Sequence, residues 1–257
     1  LKNSRWYIFW QSFFKPRRFL NYLLNEHISQ ERVIREEKIM SLNKYFIGRT
    51  KWDKSIVELF SPNASYFYGS EALRNVFVES KDIWQYKERG KRIFVTTGLG
   101  VELKGLDLVL HTAALLKKWS QIDFEWRLMG PTPFQMKVYE HKTGITCKSV
   151  NVVPCGNNAP SHLLNELLNA DCYIHTSYID NSPNAVCEAQ YLGLPVIATH
   201  VGGTPSLFAE DYNTRLLVGS NDPHDMASAI IWLLNSRERM SIAGQSNYTV
   251  ARRRHDD

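Results

Sequence analysis

From residue 91 onward the sequence alternates short runs rich in β-branched and aromatic residues with amphipathic helical stretches, and this alternation constrains the fold more than any other feature. The strand candidates are "RIFVTTG", "DFEWRLMG", "VNVVPCG", "DCYIHTS", "PVIATHVGG" and "TRLLVG". Helical stretches fall near 104–119, 133–143, 161–169, 183–192 and 204–209, and "DPHDMASAIIWLLNS" follows with Asp222 as N-cap and Pro223 in the first turn. Strands separated by helices pair in parallel, because a parallel neighbour needs a long crossover, and those crossovers are right-handed. The predicted architecture is an α/β domain with a doubly wound parallel sheet of six strands.

Residues 1–90 read differently. A charge-laced helical stretch runs to about Asn43, then "YFIGRT" reads as a strand, "KWDKSIVELF" as a helix, "ASYFYG" as a strand and "SEALRNVF" as a helix. Two βα units do not close a domain of their own, so residues 1–88 are expected to be the closing part of a first domain with its linker, in the charged "ESKDIWQYKERGKR". Residues 89–257 are expected to form the second domain. The chain begins with Leu1 rather than Met, which suggests a fragment whose upstream sequence is missing.

The 257 residues are 44% hydrophobic, ample for a packed core and incompatible with intrinsic disorder. A formal charge of +5 favours anionic ligands, yet no Lys/Arg stripe of a dedicated nucleic-acid binder is present. Phosphate in a small ligand is therefore expected, not a duplex. Cys147, Cys155, Cys172 and Cys187 form no C-x-x-C pair, consistent with a reducing, cytoplasmic location. No run reaches the ~18 apolar residues of a spanning helix. The opening "RWYIFWQSFFKPRRF" reads either as a helix packed on a first domain or as a peripheral membrane contact in the headgroup layer.

In doubly wound sheets, ligands bind beyond the carboxyl ends of the strands. Asp180 follows the strand "DCYIHTS" there, Ser182 suits an N-cap and Pro183 the first helical position, so the amides of Asn184 and Ala185 should face the crevice. Glu188 lies eight positions after Asp180, about one and a half turns into the helix, among apolar neighbours, and a carboxylate there needs a partner. One reading pairs it with a backbone amide or a basic side chain; the other has it accept hydrogen bonds from hydroxyls beside a bound anion. The loop "TTGLGVELKGLD" is neither a dinucleotide fingerprint nor a P-loop, and leaves Gly98, Gly100 and the cation Lys104. Gly202 and Gly203 in "THVGGTPSL" supply a third loop.

With these three loops in this order, residues 91–255 resemble the C-terminal domain of group 1 (family 4) glycosyltransferases of GT-B fold. "LGVELKGLDLVL" is similar to the family's lysine loop, "DNSPNAVCEAQYLGLPVIATHVGG" to its E-x7-E segment with Asp180 in place of the first Glu, and "VGGTPSL" to its Gly-Gly turn. Residues 45–77 more weakly resemble the end of the family's N-terminal domain. The resemblance implies two Rossmann-like domains and retaining transfer of a sugar from a UDP-, GDP- or similar nucleotide sugar to a glycan or lipid-linked acceptor, without a cofactor or obligatory metal. Cell-surface polysaccharide or glycolipid synthesis at the inner face of the membrane would be the setting. By carry-over, Glu188 would hold the ribose hydroxyls, Lys104 the diphosphate and Asp180 the donor sugar. The amides of Asn184, Ala185 and the Gly202–Gly203 turn would complete the cradle. The family often has an Arg where this chain has Leu99, and a Glu where it has Ser206; Arg49 or Arg74 are the candidates to replace the missing cation. An epimerase or phosphorylase on the same scaffold, or a nucleotide-sugar-binding module without turnover, are the alternative readings.

Overall fold

The computed structural model of the protein describes residues 30–98, 102–209 and 214–256. The aromatic and basic opening segment lies outside the described residues, as do Leu99 and Gly100. Contacts group the chain into two units, residues up to 47 with 55–67, and residues 48–54 with 68–257.

The first unit carries a helix over 30–42 (α1), which ends as the sequence predicts. Strands β1 (Tyr45–Gly48) and β2 (Ser65–Tyr68) flank helix α2 (Lys51–Phe60). Ser65 N–H donates to Lys44 O at 2.8 Å and Gly69 N–H to Gly48 O at 2.8 Å, the same offset twice, so the two strands run parallel. Ser61 Oγ donates to Met40 O and ties the loop after α2 to the end of α1.

The second unit is built on six parallel strands: β3 (Lys91–Thr97), β4 (Asp123–Met129), β5 (Val152–Gly156), β6 (Cys172–His175), β7 (Val196–Thr199) and β8 (Leu217–Val218). Five lie within their predicted runs, and β3 begins one residue before its own, at Lys91. Their order across the sheet is β5-β4-β3-β6-β7-β8. The chain therefore winds outward from β3 to β5, returns to the far side of β3 as β6, and winds outward again. Where the winding reverses, between β3 and β6, the connections leave in opposite directions and open a crevice at the carboxyl ends.

The crossovers are α4 (Leu106–Trp119), α5 (Pro133–Thr143), α6 (Pro160–Leu168) and α7 (Asn184–Tyr191). Helix α8 (Pro223–Leu234) starts as read, with Asp222 accepting from the N–H groups of His224 and Asp225. The longest described helix, α9 (Arg237–His255), was not anticipated as a separate element. In the other direction, "SEALRNVF" yields only the single turn α3 (Asn75–Val78): residues 71–74 carry no helix, Arg74 is extended, and its guanidinium is committed to Glu188.

The core is held by burial of β6 and β7 on both faces and of the apolar faces of β3 and β4. Phe94 stacks on Phe124 with ring centroids 5.4 Å apart and meets the edge of Trp126 at 5.7 Å. The buried indole N–H of Trp126 donates to Thr96 Oγ1 at 2.9 Å, which donates to Ile174 O at 2.6 Å, so the polar atoms of this layer are satisfied without water. The segment 79–90 has no helix or strand and is anchored: Trp84 is buried and its indole N–H donates to Ala170 O at 2.7 Å.

Candidate active site

The loops after β3 and β6 are zipped together at the reversal point. Thr176 Oγ1 donates to Lys104 O at 2.8 Å, and Tyr178 N–H to Leu103 O at 2.8 Å. Gly105 between them is left-handed at φ 64°, and a Cβ there would collide with the Thr176 carbonyl, so only glycine permits the approach. The consequence is that Lys104, at the end of a short 3₁₀ turn (Glu102–Lys104), projects across the crevice.

Its ammonium meets Asp180 Oδ2 at 2.7 Å. Ser177 Oγ donates to the same oxygen at 3.2 Å, and His175 Nε2 stands 3.3 Å away without the alignment of a full hydrogen bond. The second oxygen, Oδ1, has no partner among the described residues. Burial alone would push the Asp180 carboxyl up, but His175 and Lys104 beside it outweigh that and hold it well below the usual carboxylate range. His175 is buried at the last position of β6, and that burial lowers its affinity for a proton, so the ring is neutral at pH 7. It was not singled out from sequence. The available signal was a polar residue closing a strand whose four positions are all buried.

The acid loop is clamped from two sides. Gly203 N–H donates to Asp180 O at 3.1 Å, and Gly202, left-handed at φ 50°, packs so closely that a Cβ would strike the Asp180 carbonyl. The two glycines expected as a ligand cradle thus act here as the surface on which the Asp180–Asn181 backbone rests. On the other side, Asn181 Oδ1 accepts from Thr50 Oγ1 at 2.5 Å and Asn181 Nδ2 donates to Asp53 Oδ2 at 2.8 Å. Thr50 and Asp53 form the reciprocal cap of α2: Asp53 N–H donates to Thr50 Oγ1 at 3.3 Å and Thr50 N–H to Asp53 Oδ1 at 3.1 Å.

Helix α7 begins one residue later than the sequence suggests. Pro183 is extended, with ψ 110°, and is itself the N-cap, so Ser182 is not. Ser182 Oγ is buried and has no hydrogen-bond partner among the described residues. Val186 and Cys187 N–H return to Pro183 O at 2.9 and 3.3 Å, which leaves the amides of Asn184 and Ala185 as the leading donors of the helix.

Glu188 is 1% exposed, and the partner its burial demands is a guanidinium. Arg74 Nε donates to Oε1 at 2.6 Å and Nη2 to Oε2 at 2.5 Å, a bidentate pair. The sequence reading with a basic side chain is thus the one seen here. Each carboxylate oxygen keeps a further lone pair for a hydroxyl. Gly98 closes the end of β3, its N–H donating to Met129 O at 3.0 Å, and its α-carbon faces the Lys104 stem. Away from these loops, Glu71, Cys187 and His255 bring potential ligand atoms within 4.8 Å of one another. The charge of Arg254, which acts on both Cys187 and His255, opposes a cation there.

The family model for glycosyl transferases group 1 matches residues 78–249, more than half of the chain. The D-inositol 3-phosphate glycosyltransferase of Corynebacterium glutamicum is 37% identical over 93 residues, 36% of this chain and 22% of that protein. An uncharacterized glycosyltransferase of Methanocaldococcus jannaschii is 22% identical over 161 residues, 63% of this chain and 43% of its own length. The chain thus spans less than half the length of these relatives. Among solved structures, the sucrose-phosphate synthase of Thermosynechococcus elongatus superposes with a TM-score of 0.73 at 16% identity, over 88% of this chain and 57% of the other. The Anabaena protein HepE, solved with UDP and glucose, gives 0.64 at 14% identity, over 90% of this chain and 64% of the other. A family match across the whole six-stranded sheet, together with GT-B neighbours in the same fold, establishes that this chain belongs to the group 1 glycosyltransferases.

Proposed function

We propose that the chain carries the donor half of a retaining transferase that moves a sugar, a hexose or a close relative, from a nucleoside diphosphate to an acceptor hydroxyl. The observation that carries the reading is the meeting of Lys104 and Asp180 at the reversal point of the sheet, with Asp180 four residues before the first amide of α7. A cation and an array of backbone donors suit a diphosphate, whose departure is the step that needs electrostatic stabilisation. Asp180, held as an anion by Lys104, Ser177 and His175, keeps Oδ1 for donor-sugar hydroxyls. Glu188, fixed by Arg74, keeps lone pairs for the ribose diol. That HepE was solved with UDP and glucose, and the S. aureus protein TarM with UDP and α-GlcNAc-glycerol, supports a UDP-linked donor over a GDP-linked one.

In this reading the acceptor is a glycan or lipid-linked saccharide, the setting is cell-surface polysaccharide or glycolipid synthesis on the cytoplasmic side of the membrane, and protein cations, not a metal or other cofactor, neutralise the diphosphate. Among the described residues no helix is long and apolar enough to cross a membrane. The test is a mass-spectrometric transfer assay with UDP- and GDP-sugars against glycan and polyprenyl-linked acceptors, with the anomeric configuration of the product read by NMR. Product with the donor's configuration supports the proposal. Nucleotide binding without product, in this chain and in any longer protein that contains it, would reduce it to a binding module.

A further inference from the structure

A diphosphate carries more negative charge than one ammonium neutralises, and Lys104 already shares its charge with Asp180 at 2.7 Å. Arg49 and Arg74 are the cations that the sequence offers to supply the rest, and the structure separates them. Arg74 is committed to Glu188 through two hydrogen bonds. Arg49 is exposed, and its guanidinium has no ion pair or hydrogen bond among the described residues.

The backbone beneath that free guanidinium is fixed. Arg49 N–H donates to Asp53 Oδ2 at 2.9 Å, and the same oxygen accepts from Asn181 Nδ2 at 2.8 Å. The next residue, Thr50, is buried, donates to Asn181 Oδ1 at 2.5 Å, and lies so near Gly203 that a Cβ there would be 2.5 Å from Thr50 Oγ1. Consecutive α-carbons are about 3.8 Å apart. The Arg49 α-carbon is thus one residue from a side chain that touches both the acid loop and the Gly-Gly turn. The planar fork of an arginine matches phosphate oxygens in a way the lysine ammonium does not.

We infer that Arg49 is the second cation of the donor site and binds the diphosphate together with Lys104, in the role for which position 99 offers only a leucine. This rests on the function proposed above. It gives the cap of α2 a purpose beyond helix stability: Thr50, Asp53 and Asn181 hold Arg49 and Asp180 in one frame.

The test is calorimetric titration of the 257-residue chain with UDP, GDP, uridine and guanosine, for the wild type, Arg49→Gln, Arg49→Lys, Lys104→Ala and a charge control, Lys118→Gln. Arg49→Gln should weaken the diphosphate by about tenfold or more, the scale of a charged hydrogen bond, while the bare nucleoside changes by less than about twofold. Arg49→Lys should recover part of the loss, and Lys118→Gln should bind as the wild type does. If Lys104→Ala weakens the diphosphate but Arg49→Gln does not, the inference is overturned and the donor site stands. An equal loss for nucleoside and diphosphate in Arg49→Gln also overturns it, since Arg49 would then only support the loop. No diphosphate binding by the wild type, or no effect of Lys104→Ala, would refute the donor site itself and Arg49's role with it.

Discussion

Arg74 and Glu188, far apart in sequence, are joined by two short charge-assisted hydrogen bonds, 2.6 Å from Nε to Oε1 and 2.5 Å from Nη2 to Oε2. Glu188 is almost fully buried, whereas the Arg74 side chain is 42% exposed and lies over the Phe77 ring at 5.0 Å. The pair explains how an otherwise apolar helix tolerates a carboxylate, and it sets that carboxylate's orientation.

Removing Arg74 leaves Glu188 without its partner. Arg74→Ala should cost about 2 kcal/mol, less than the 3–5 typical of a fully buried pair because the arginine is partly in water. Arg74→Ala with Glu188→Gln should cost less than the sum of the two single changes. Urea unfolding of the four proteins measures the coupling; strict additivity would show that the pair contributes nothing.

The buried His175 makes stability depend on pH. Its affinity for a proton is lowered by burial, so the unfolded chain binds the proton first as pH falls below about 6.5, and stability present above that value is lost toward acid. Asp180, held below the usual range, adds a loss of the same sign only below about pH 4. The melting temperature should therefore fall from pH 7 to pH 5, and His175→Gln should flatten that window while leaving the drop below pH 4. His255, also lowered by burial, keeps a residual slope in the variant. An unchanged slope in His175→Gln would place the titrating group elsewhere.

Gly202→Ala would put a Cβ against the Asp180 carbonyl in a left-handed residue, a conformational cost of roughly 1–2 kcal/mol before any collision. The acid loop must move to relieve it. Nucleotide affinity should fall more than global stability does, and a thermal-shift titration with UDP reads both. Affinity equal to wild type would show that the loop position is immaterial to binding.

All six strands of the sheet were legible because each is a compact apolar run bounded by turn residues; Lys104, Asp180 and Glu188 drew notice because polar groups at strand ends and in apolar helices stand out, and the meeting of Lys104 with Asp180 is what the structure adds. Helix α9 was not, since its buried stripe is Met240, Ala243, Gly244, Asn247 and Ala251: the helical spacing is present, but the residues are too small to register as an apolar face. The helix expected at "SEALRNVF" failed for the opposite reason. Local propensity favoured it, and the tertiary demand of Glu188 for Arg74 won. Asn181 and His175 act through partners distant in sequence or through burial, and neither is visible in a local pattern.

The most direct test of the donor site is the calorimetric difference between nucleoside diphosphate and nucleoside on removing Lys104. If Lys104 and the first amides of α7 bind the diphosphate, the 257-residue chain binds UDP or GDP, and Lys104→Ala weakens the diphosphate by about 1.5–3 kcal/mol while barely changing the nucleoside. High salt should shrink that difference, because the lysine side chain is 31% exposed. Glu188→Ala should weaken both ligands, since the ribose is common to them. Equal losses for diphosphate and nucleoside on removing Lys104, or no binding of either diphosphate by the wild-type chain, would contradict the account.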